Sequence, residues 1–118
     1  MRYILIISFF LSACATPATM TTAPMTPGPK NTDLAVEPSS GGFLVTIRYD
    51  RFQFIPESSA VATACRSTLL SEAYHYAERQ HKRIAPINEQ RIQLSMGRNG
   101  FTGITSCTAQ VPAEWAER

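Results

Sequence analysis

Alternation of apolar and polar positions is clearest in Phe43-Leu44-Val45-Thr46-Ile47-Arg48-Tyr49. This run is rich in β-branched and aromatic side chains and predicts a strand with Phe43, Val45, Ile47 and Tyr49 on one face. Phe52 and Phe54 have the opposite parity, so either a bulge near Asp50-Arg51 turns them inward or both rings are exposed. Pro56 ends the strand, and Ser58 or Ser59 offers an N-cap for a helix. There the period changes. Val61, Cys65, Leu69, Ala73, Tyr76 and Ala77 recur at spacings of three and four, an apolar stripe widened by Ala62 and Leu70. It predicts a helix to about Lys82, with Pro86 forbidding continuation. Glu78 and Lys82 are placed as an i,i+4 pair on its outer face, and His81, Lys82 and Arg83 suit the negative end of its dipole.

Alternation returns from about Asn88 to Met96, with Ile92, Leu94 and Met96 inward. Gly97-Arg98-Asn99-Gly100 reads as a hairpin turn, Asn99-Gly100 being a type I′ signal. A third strand is predicted from Phe101 to about Val111, with Phe101, Gly103, Thr105, Cys107, Ala109 and Val111 on one face. A two-residue turn pairs Met96 with Gly103; a four-residue loop shifts the register by an even step and keeps the inward faces together. Residues 42–118 are therefore expected to form a small α+β domain of order β-α-β-β. Its sheet has three strands, antiparallel, with one long helix packed on one face. The first strand is expected antiparallel beside the third, since small sheets with an uncovered face are usually antiparallel. Val111-Pro112-Ala113-Glu114-Trp115 is expected to fold back so that Trp115 covers an edge of the core.

Residues 1–13 carry a different pattern: Arg2, then an apolar run from Tyr3 to Leu11, too short for a permanent span and suited to a cleaved export signal. It closes in Leu11-Ser12-Ala13-Cys14, which resembles the lipobox of a bacterial lipoprotein at every position. The resemblance implies diacylglycerol on the Cys14 thiol, cleavage before Cys14 and usually a third acyl chain on the new amine. Two or three such chains, at about 0.8 kcal/mol per buried CH₂, anchor a protein stably. Inner-membrane retention goes with Asp shortly after the cysteine; Thr16 stands here, so the resemblance implies the outer membrane, facing the periplasm. Residues 14–41 then read as the lipidated cysteine and a disordered tether. They hold five of the 8 prolines (Pro17, Pro24, Pro27, Pro29 and Pro38) among Thr, Ala, Ser and Gly. A tether over residues 15–41 reaches on the order of 30 Å as a coil and 80 Å as extended polyproline.

The chain has 3 cysteines. With Cys14 given to lipid, Cys65 on the helix and Cys107 on the third strand remain for each other, both on inward faces and in an oxidising compartment. A disulfide between them is the expected reading. Two buried free thiols and a redox-active pair are the alternatives, the latter lacking any CxxC context.

Charge narrows the function. Among 118 residues, 11 basic face 9 acidic side chains, and cleavage before Cys14 removes Arg2. Such a near-neutral chain lacks the clustered basic excess of a nucleic-acid binder. His75 and His81 lie on nearly opposite helix faces, no HExxH or Asp-rich loop is present, and neither metal nor cofactor is expected. No nucleophile elbow or strand-to-helix phosphate loop is found, so no enzyme activity is expected. The expected function is non-catalytic binding or scaffolding at the envelope, with the membrane as one partner and an envelope protein or glycan as another. An alternative is a module for an anionic glycan or lipid headgroup, using Arg48, Arg91 and Arg98 with the uncovered sheet face. An enzyme or thiol redox protein is the remaining possibility.

Overall fold

The computed structural model describes residues 21, 23–29, 31–53 and 57–116. The export signal over 1–13, Cys14, Pro17, Phe54 and Pro56 lie outside the described residues.

The elements run in the order β1 (Thr26–Pro27), β2 (Thr32–Ser39), β3 (Gly42–Phe52), α1 (Ser58–Arg79), a short 3₁₀ turn (Glu89–Arg91), β4 (Gln93–Asn99) and β5 (Ile104–Glu114). The strands form one antiparallel sheet in the order β1-β2-β3-β5-β4. The α+β class, the single long helix and the antiparallel β3–β5 pairing are as the sequence predicts. The strand number is not: the sheet has five strands rather than three. The two additional strands come from the stretch read as tether. Within it Leu34 and Val36 pair with Ile47 and Val45 on the helix side, and Ala35 is 4% exposed. Burying Ala35 on one face and half-burying Leu34 and Val36 against the core on the other offsets the ordering entropy that the surrounding Pro, Ser and Thr composition argued against. Ser40 and Gly41 join β2 to β3, Gly41 taking the left-handed step at φ +94°. Pro38 is tolerated because it lies beyond the stretch that β1 pairs, where no ladder donor is needed.

β3 pairs continuously with β5 from Gly42↔Glu114 to Phe52↔Ile104, so there is no bulge at Asp50-Arg51 and Phe52 stays out, 65% exposed. The β4–β5 hairpin turns later than the Asn-Gly signal suggests. Asn99 pairs with Ile104, and the loop comprises Gly100, Phe101, Thr102 and Gly103. The Asn99 side chain accepts from the backbone N–H of Phe101 and of Thr102, and Gly103 N–H closes on the Asn99 carbonyl at 2.9 Å. Asn99 thus acts as an Asx-turn acceptor at the strand end instead of a central turn residue. Phe101, expected inward, is in consequence exposed at the loop tip. Met96 pairs with Cys107 rather than Gly103, an even shift that leaves the inward faces together.

α1 lies over β5 and β3 and reaches β4. Its buried stripe is Val61, Cys65, Leu69, Ala73 and Ala77, packed on Phe43, Val45, Ile47, Cys107, Ala109 and Val111. Phe43 packs in tilted geometry against Tyr76 of the helix and Trp115, with ring centroids 4.6 and 4.9 Å away. The tail does not fold back: residues 111–114 continue β5, and Trp115 follows in the same ladder, its N–H bonded to the Gly41 carbonyl at 2.9 Å, so that its ring closes this end of the core beside the bridge to Ile84. The helix ends at Arg79, short of Lys82. Lys82 N–H bonds the Ala77 carbonyl and His81 N–H that of Glu78, the double bond of a Schellman end, with His81 at φ +55° where glycine is usual. This turn carries Lys82 away from Glu78 to sit 5.1 Å over the Trp115 ring, and Glu78 faces His75 instead.

Candidate functional site

Cys65 and Cys107 are joined in a disulfide, Cα atoms 6.3 Å apart, fixing α1 to β5 where both side chains are fully buried. Cys14 lies outside the described residues.

The three arginines named from the sequence are not brought together. Arg48 lies on the face away from the helix and pairs with Asp50 at 3.5 Å. Arg91, on the 3₁₀ turn beside the same face, lies 3.8 Å from Glu114. Both pairs are exposed, where such contacts contribute little to stability. Arg98 has the parity of Met96 and therefore projects to the helix side, its Nη2 donating to the Gln53 carbonyl at a long 3.5 Å. A single cationic surface made of Arg48, Arg91 and Arg98 is not formed. No group of His, Cys, Asp and Glu suited to a metal occurs among the described residues, and no helix among them is long and apolar enough to cross a membrane.

Gln53 has a role the sequence did not suggest. Buried to 8% exposure, its side-chain oxygen accepts from Glu57 N–H at 3.2 Å and from the Thr105 hydroxyl at 2.9 Å. Its amide donates to the Glu57 carbonyl at 3.1 Å, and its backbone N–H bonds Gly103 at 2.9 Å. Glu57, the N-cap of α1, makes no side-chain cap bond, and neither Ser58 nor Ser59 takes that role. The Gln53 amide instead grips both peptide groups of Glu57, holding the helix start against β5 and the hairpin. Replacing Gln53 with Ala removes three side-chain bonds and leaves the buried Thr105 hydroxyl unpaired. A loss of about 2 kcal/mol is expected in chemical denaturation. Faster hydrogen exchange should be concentrated at the first turn of α1.

The second unanticipated residue is Glu72. It occupies a stripe position of α1 and is 6% exposed. Because the helix is centred over β5 and β3, the helix-side residues of β2 extend past it. A cleft of about 670 Å³ opens between α1 and the β1–β2 edge. Leu34 and Val36 form its floor, Pro24, Pro27 and Pro29 one wall, and Glu72, His75, Tyr76 and Arg79 the other. Its size is in the range of small-molecule sites. Glu72 has neither an ion-pair nor a hydrogen-bond partner among the described residues.

Comparison with protein-family models, with curated proteins and with solved structures finds no match for this chain.

Proposed function

We propose that this chain is a lipid-anchored protein of the cell envelope, acylated on Cys14, whose domain is a non-catalytic binding or scaffolding module facing the periplasm from the outer membrane. The observation that carries this reading is the Cys65–Cys107 disulfide. It accounts for two of the 3 cysteines and leaves Cys14, at the close of the apolar segment, as the remaining thiol. A buried structural disulfide also suits an exported protein.

Where the chain joins the sheet sets how far the domain stands from its anchor. The Thr21 hydroxyl bonds the Glu37 carboxylate, and Glu37 pairs with Leu44 near the end of the sheet that holds Gly42 and Glu114. Residues 15–20 alone then separate Cys14 from the first described residue. Seven steps of extended chain reach at most about 25 Å. This supports a domain held close to the bilayer, with the Phe101 loop at the far end of the sheet.

Growth with labelled palmitate tests the anchor. The wild-type chain is expected to carry label and to sediment with membranes. Cys14→Ala should lose essentially all label and appear in the soluble fraction, or accumulate uncleaved. Equal labelling of the variant contradicts the reading.

A further inference from the structure

The cleft beside Glu72 has features that a solvated groove in a scaffold does not require. A glutamate recessed in a cleft, its carboxylate oxygens reached by solvent but by no protein partner, presents its charge to whatever enters the cleft. Here the Glu72 side chain is more than nine-tenths buried and lines the cleft with no partner among the described residues. Arg79 lines the same cleft from the same helix, exposed, and makes no ion pair among the described residues. Glu72 and Arg79 do not serve each other, because seven helical positions separate them by about 10 Å along the axis. Between them lie the Tyr76 ring, Leu34, Val36 and the prolines of the β1 arm, with His75 and Thr26 also on the lining.

We propose that this cleft binds a small zwitterionic amino-carboxylate on an aliphatic stem, a basic amino acid or the end of a short peptide. Its ammonium group sits inside, on the Glu72 carboxylate. Its stem lies against Leu34, Val36 and Tyr76, and its carboxylate stays at the mouth beside Arg79. The two charges are complementary in order, the acid buried and the base exposed, so a ligand of the opposite polarity is rejected. The proline wall is tied to β2 by the Thr26 hydroxyl on the Leu34 carbonyl and the Gly28 N–H on the Thr32 carbonyl. The proposal deepens the binding-module reading at one place, while the Cys14 anchor stands or falls on its own labelling experiment.

Titration calorimetry on the full chain, disulfide intact, tests it with 6-aminohexanoate as the probe and hexanoate as its counterpart lacking the ammonium. Saturable binding of 6-aminohexanoate is expected and none of hexanoate. Glu72→Gln should weaken binding at least tenfold and Arg79→Gln severalfold. Both variants should keep the wild-type thermal transition, since neither side chain bonds a described residue. Amide resonances of the wild-type chain provide a readout independent of any variant: shifts are expected at residues 27–36 and 72–79. Absence of binding, equal binding of hexanoate, an unaffected Glu72→Gln variant, or shifts confined to other residues each overturns the proposal.

Discussion

Removing the Cys65–Cys107 bond by the double substitution to Ala is expected to lower the stability of the domain by about 4 kcal/mol, from the entropy of closing the intervening loop. The two cysteines are 42 positions apart, so the crosslink removes a large set of conformations from the unfolded chain. Both are fully buried at the contact of α1 with β5, so the substitution also leaves space where two sulfur atoms were. A small domain has little stability in reserve, and a loss of this size is a large share of it. Urea denaturation should show the midpoint falling steeply, with much of the variant unfolded in buffer at physiological temperature. An unfolding free energy within about 1 kcal/mol of wild type would mean that the bridge adds little constraint to a chain already compact when unfolded.

Phe43→Ala should have an effect of similar size. Phe43 is 1% exposed, the largest of the fully buried side chains, and joins three parts of the fold at once. Its ring meets Tyr76 of α1 and Trp115 just past β5, while its backbone pairs with Ala113 of β5 and Pro38 of β2. Truncating a buried Phe costs about 3–5 kcal/mol in transfer and cavity terms. The loss should be visible as a change in Trp115 fluorescence together with a lower denaturation midpoint. Since Trp115 and Tyr76 also contact each other, Phe43→Ala and Trp115→Ala should be less than additive when combined.

How much of the fold the sequence disclosed depends on how local each signal is. The stripe Val61-Cys65-Leu69-Ala73-Ala77 and the inward parity of Cys107 are local patterns, and each has the role it suggests; Trp115 covers the core edge as expected, but by continuing β5 rather than by folding back. The β2 strand was obscured because only Leu34, Ala35 and Val36 carry its apolar signal, inside a Pro- and Thr-rich composition. Its existence depends on the edge that β3 provides. The hairpin moved because Asn99 can serve either as a turn centre or as a side-chain acceptor, and tertiary pairing selects the second. That shift also put Arg98 on the helix side, away from Arg48. Gln53 left no local signal, since its partners are Glu57 and the distant Thr105. Glu72 did leave one. Cys65, Leu69, Glu72 and Tyr76 share the same helical spacing, so an acid falls at a buried position of the stripe.

The central claim is that one cysteine anchors the chain and the other two staple it. Intact and peptide mass spectrometry of the protein extracted from membranes without reductant tests this most directly. An N-terminal residue Cys14 carrying diacylglycerol, with or without an amide-linked acyl chain, is expected, together with a peptide pair crosslinked through Cys65 and Cys107. An unmodified Cys14 thiol, or Cys14 in disulfide with Cys65 or Cys107, would contradict it.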